Sequence, residues 1–87
     1  MKCVPHPLVM IAWVDTSTLA GWRQLSEFEG KIIPLACRSV GYLVKRTKEV
    51  VLIASHVAEG DDIGISDPFV IPVCVIKGIT VLKKANA

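Results

Sequence analysis

Residues 37–57 read CRSVGYLVKRTKEVVLIASHV, and this stretch decides the fold. Two runs rich in β-branched side chains, Val40–Val44 and Val50–Ile53, flank the charged tip Lys45-Arg46-Thr47-Lys48-Glu49. Such runs favour extended backbone, and polar residues between them mark a reversal, so a β-hairpin is expected. No Asn-Gly or Asp-Gly is present to support a two-residue primed turn. A four-residue loop, Arg46–Glu49, would place Tyr42 opposite Ile53, Val44 opposite Val51, Leu43 opposite Leu52 and Ser39 opposite His56. A two-residue loop keeps the same faces together, because a slip of two preserves the alternation. One face then carries Val40, Tyr42, Val44, Val51, Ile53 and Val57 and reads as core. The other mixes Leu43, Leu52 and Ala54 with Ser39, Lys45 and His56. It is too apolar for free solvent and too polar for a plain core. Leu43, Leu52 and His56, with Lys45, Arg46 and Lys48 at the tip, are therefore the candidate binding residues. Gly41 in mid-strand marks a place where the sheet bends, as a small barrel requires.

Outward from the hairpin, Leu8–Val14 (LVMIAWV) is a continuous apolar run of strand length. Asp15 ends it and can accept hydrogen bonds from the backbone of the turn. Leu19, Trp22, Leu25 and Phe28 recur every third residue, which predicts one short amphipathic α-helix within Leu19–Glu29, beginning at Leu19 or, beyond Gly21, at Trp22, and stopped at Gly30. Pro34 cannot donate to a ladder and belongs at a strand start, an edge or a bulge. Ala58–Pro68 (AEGDDIGISDP) is acidic and Gly-containing and reads as a loop. Phe69–Ile71 and Val73–Ile76 read as extended around Pro72, and Ile79–Leu82 as a last strand. Strand, short helix, then closely spaced strands predict a mainly β, five-stranded antiparallel barrel of the SH3-like or Sm-like kind.

The 87 residues allow one domain, 1–87. A chain this short buries only roughly 60% of the surface its unfolded form exposes. Yet 52% of its residues are hydrophobic. The excess implies an apolar surface patch and hence a homo-oligomer. Net charge is +2, too small for a nucleic-acid footprint by itself. The three cysteines, Cys3, Cys37 and Cys74, are dispersed, which argues against a disulfide framework or a zinc site. Pro5 and Pro7 interrupt any signal-peptide core, and no apolar run approaches the roughly 18 residues of a membrane span. A cytoplasmic protein without membrane association is expected.

Three groups of side chains bear on chemistry. Cys37 and Ser39, brought beside His56 by the expected register, would give a nucleophile and a base, but no orienting carboxylate or oxyanion device accompanies them. Glu59, Asp61, Asp62 and Asp67 share one segment, but lack the spacing of a calcium loop. Lys45, Arg46, Lys48, Lys83 and Lys84 suit phosphate, but no aromatic interleaves them for base stacking. No catalytic residue, metal or cofactor is assigned. His6, between Pro5 and Pro7, reads as an exposed histidine.

Two resemblances add to this. Ile76-Lys77-Gly78 before Val81 resembles the second motif of Sm proteins, and Val40-Gly41-Tyr42-Leu43 resembles the Gly-x-Leu of their second strand. The Asp-x-Met-Asn segment with which Sm proteins bind RNA is replaced by Lys45–Glu49. Trp13, Asp15, Thr16, Gly21, Trp22, Val40–Val44 and Ile71-Pro72 are similar to a pattern in short proteins of phages and mobile elements. That pattern implies a small accessory protein. The leading expectation is a non-enzymatic binding module, homo-oligomeric, that binds a protein partner or a small ligand. An Sm-like RNA binder is the second reading, and a small enzyme using Cys37 or His56 the third.

Overall fold

The computed structural model of the chain describes residues 6–16, 21–28, 34–58 and 60–85. The described residues form seven strands: β1 (Leu8–Asp15), β2 (Leu35–Arg46), β3 (Val50–Ala54), β4 (His56–Ala58), β5 (Gly64–Ser66), β6 (Phe69–Pro72) and β7 (Ile76–Lys83). Five of them make one antiparallel sheet in the order β6-β3-β2-β1-β7, and β4 pairs with β5 in a separate ribbon. The mainly β, five-stranded antiparallel expectation holds.

Closure into a barrel does not. β6 and β7 are the two edges of the sheet and are not paired with each other. Pro72 ends β6 without an N–H to give, and a single 3-10 turn, Val73–Val75, carries the chain to the far edge. Val73–Val75 is thus a turn where an extended segment was expected. Its Val73 N–H donates to the Glu49 carbonyl at 2.7 Å, tying the turn to the β2–β3 loop. The sheet nonetheless coils steeply. Trp13 on β1 and Phe69 on β6 lie three strand spacings apart, about 14 Å in a flat sheet. Their ring centroids are 5.5 Å apart. The sheet is therefore a trough whose rims converge on these two rings. Bulges bend it: the β1–β7 register shifts at Leu8/Val9 and Ala12/Trp13, and the β2–β3 register between Leu43 and Lys45.

The core lines the trough. Val9, Ile11, Val51, Ile53 and Ile71 are buried, with Trp13, Leu43, Val73, Val75, Ile76 and Ile79 packed around them. Each fully buried aliphatic side chain contributes about 1.5–3 kcal/mol. The Trp13 indole N–H donates to Ser39 Oγ at 3.0 Å, so the ring enters the trough with its polar atom satisfied.

The expected faces of the hairpin are corrected on β2. The ladder pairs Tyr42 with Ala54, Leu43 with Ile53, Lys45 with Leu52 and Arg46 with Val51. The connection is again four residues long, but it is 47–50, one residue later than expected. Thr47 organises it: its Oγ1 accepts from the N–H groups of Glu49 (3.2 Å) and Val50 (3.1 Å), and its own N–H donates to the Val50 carbonyl. Val44 becomes the extra residue of the bulge. A slip of one residue moves every side chain of a strand to the other face. Leu43 and Gly41 thus join Ile53 and Val51 in the core, while Val40 is 58% exposed on the back of the sheet.

The short α-helix is also corrected. Residues 17–20 and 29–33 lie outside the described residues. Between them only a 3-10 turn, Leu25–Phe28, is present. Gly21 adopts φ 77, in the left-handed region that an α-helix cannot use. Of the stripe's described side chains, Trp22 is fully exposed and Leu25 nearly so. Arg23 and Glu27 form an exposed ion pair at 4.0 Å, which adds little.

Gly41 is held by packing. A Cβ there would lie 3.0 Å from the Ala54 carbonyl oxygen and 3.2 Å from Ile53 Cβ. A Cβ on Gly78 would meet nothing within 4 Å. Gly41→Ala is expected to cost about 1–3 kcal/mol through overpacking. Gly78→Ala is expected to be neutral or to stabilise by up to about 1 kcal/mol by restricting the unfolded chain. Urea unfolding of the two variants checks both signs.

Candidate binding surfaces

The residues singled out from sequence are distributed to three places. Leu43 is half-buried against the core and faces the trough. Leu52 is half-buried on the back, between Lys45 on β2 and Val70 on β6. His56 lies on the ribbon, where it pairs with Ser66 and is exposed. Leu43, Leu52 and His56 therefore do not share a face, because the bulge at Val44 and the break between β3 and β4 intervene. Lys45 and Leu52 are direct neighbours. Arg46 is at the trough end beside Val51, and Lys48 is exposed in the loop.

The expected nucleophile and base do not meet. Ser39 is opposite Ile11, and its oxygen accepts from Trp13. Cys37 is opposite Trp13, and its thiol lies 3.7 Å from the Leu35 carbonyl. His56, three residues beyond Ile53, is on another ribbon. His6 is half-buried rather than exposed, and its Nε2 is buried without a hydrogen-bond partner among the described residues. Among the described residues no three His, Cys, Asp or Glu side chains lie close enough to hold one metal ion. None of the described helices is long and apolar enough to cross a membrane.

Three surfaces remain. The first is the back of the sheet, where Val40 (58%), Tyr42 (37%) and Val70 (57%) are exposed and Leu52, opposite Val70, is half-buried. The sequence reading placed Val40 and Tyr42 in the core, and only the one-residue bulge moves them out. The second is an open groove of about 370 Å³ at the loop end of the trough. Val51, Val73, Ile76 and Ile79 line it, with Arg46 and Lys77 beside them. Arg46 and Lys77 are far apart in sequence, and no spacing rule joins them. The third is a cleft of about 280 Å³ at the other end, between Ser39, Ile53, Ser55, Asp67 and Phe69.

That third end is where the long hairpin 50–72 breaks. Ile53–Phe69 and His56–Ser66 keep one continuous register, yet the strands part between them. Pro68 has no N–H, and Asp67 takes φ 53 with its carboxylate 3.3 Å from the Ser66 hydroxyl. The Ser55 N–H still donates to the Ser66 carbonyl at 3.0 Å. The segment expected as a loop thus contains a β-ribbon that continues the hairpin past the sheet. Asp61, Asp62 and Ile63 are exposed at its tip.

Comparisons with protein-family models, with curated proteins and with solved structures returned no match.

The exchanged faces give a direct test. Val40→Thr and Val70→Thr each change exposed positions and are expected to shift stability by no more than about 0.5 kcal/mol. Ile53→Ala removes buried volume and is expected to cost about 2–5 kcal/mol. Chemical denaturation that found Val40→Thr as costly as Ile53→Ala would restore Val40 to the core.

Proposed function

We propose that this chain is a non-enzymatic binding module that self-associates and presents the back of its sheet to a protein partner. The observation that carries this is the back face of the sheet, where Val40, Tyr42 and Val70 are exposed. Such a patch costs solubility in a free monomer and is a usual mark of an interface. Among the described residues no further strand pairs with the edges β6 and β7, which add surface that other chains can cover. The separation of Cys37, Ser39 and His56 favours binding over covalent catalysis. The similarity to short phage and mobile-element proteins supports an accessory role, and unpaired Cys37 and Cys74 are compatible with a reducing cytoplasm.

A second reading, an RNA-binding protein of the Sm-like kind, is favoured by one observation. Arg46 and Lys77 line the same groove, with Lys48 on the adjoining loop. Against it, no aromatic side chain among the described residues lines that groove for base stacking.

Light scattering at micromolar concentration is expected to give a multiple of the 9.4 kDa chain mass. A monomer throughout the range would remove the leading reading. For the second, a labelled single-stranded RNA should bind at low salt and release as salt rises. Absence of binding at low salt would end it.

A further inference from the structure

The ribbon and the basic groove are complementary, and one chain cannot join them. The tip carries two exposed carboxylates, Asp61 and Asp62, followed by Ile63, whose surface is 50% exposed. The groove has an apolar floor of Val51, Val73, Ile76 and Ile79, and exposed Arg46 and Lys77 beside it. An apolar side chain next to acids thus faces an apolar pocket next to bases. The strand path from Val51 to Ala58 covers about 23 Å at the usual strand rise. The tip lies beyond Ala58, so tip and groove stand at opposite ends of the same hairpin.

We infer that a second copy of this chain is the occupant of the groove: the ribbon tip of one copy inserts Ile63 between Val73 and Ile76 of the next, with Asp61 and Asp62 against Arg46 and Lys77. This deepens the self-association proposed above and rests on it. The contact is heterologous, because the two sides are different surfaces. Each copy keeps one free tip and one free groove, so the chain assembles head to tail into a ring or an open filament. The four charges lie at exposed sites, so they steer and orient the joint, while burial of Ile63 supplies its apolar contact. The joint leaves Val40, Tyr42 and Val70 uncovered for a partner.

Paired charge reversals test it in the full chain. D61K/D62K makes the tip basic, and R46E/K77E makes the groove acidic. Each variant alone is expected to sediment as a monomer at concentrations where the parent chain assembles. Their equimolar mixture is expected to recover assembly, because basic tips meet acidic grooves and acidic tips meet basic grooves. Ile63→Ser, which changes no charge, is expected to weaken association at least tenfold, and added salt to weaken it in the parent chain. Circular dichroism melts establish that each variant is folded, and the recovery by mixing cannot come from two unfolded chains. If the parent chain assembles and neither reversal dissociates it, or mixing restores nothing, the tip-and-groove joint is overturned while self-association stands. A parent chain that is monomeric at every concentration overturns both.

Discussion

Ile53 lies over Gly41, in the space where any side chain on that strand would stand. This close approach brings the backbones of β2 and β3 together on the trough side. It fixes which residues of the hairpin face inward. With Ile53 and Gly41 inside, Leu43 and Ile11 follow on their strands by alternation, and Val40 and Tyr42 must point out. The bulge at Val44 is the compensating feature. It absorbs one residue, so that Arg46 still reaches Val51 and the Thr47 loop can close.

The same bends coil the sheet until Trp13 meets Phe69 across it. That contact spares a small chain the need for a second sheet or a helix to cover its core. The 3-10 turn after Pro72, bonded to Glu49, then places β7 against the free side of β1. The outcome is a strongly curved open sheet whose main apolar cluster lies on one face. On its back Ala54 is buried while Val40, Tyr42 and Val70 are exposed, and with 52% hydrophobic composition part of that back is apolar. The surplus of apolar residues and the single layer are one fact seen from two sides.

The two ends of the long hairpin differ in chemistry because they end differently. At one end Thr47 closes a tight loop, and Arg46 lines one groove with Lys77. At the other, Pro68 and Asp67 interrupt the ladder without changing its register, and the strands resume as a ribbon with an acidic tip. The joint proposed between copies rests on these unlike ends. The two groups expected to form a dyad, Cys37 and His56, are carried on different sheets.

Much of the fold was legible in the chain itself. The apolar run Leu8–Val14, the hairpin around Lys45–Glu49, Pro34 before a strand and a last strand through Ile79–Leu82 all follow from local pattern, because backbone preference and alternation act within a few residues. Asp15, which accepts from the Thr16 N–H at 2.8 Å, was legible for the same reason. The faces of β2 were not. A single inserted residue at Val44 reverses them, and whether a bulge forms depends on packing between Gly41 and Ile53, not on either run alone. The helix expected from Leu19, Trp22, Leu25 and Phe28 met a left-handed Gly21, and its described apolar residues Trp22 and Leu25 are exposed. The basic groove was invisible for a simpler reason. Arg46 and Lys77 line one groove only because β7 returns past β1 after the turn at Pro72, and that return is decided by the coiled sheet as a whole.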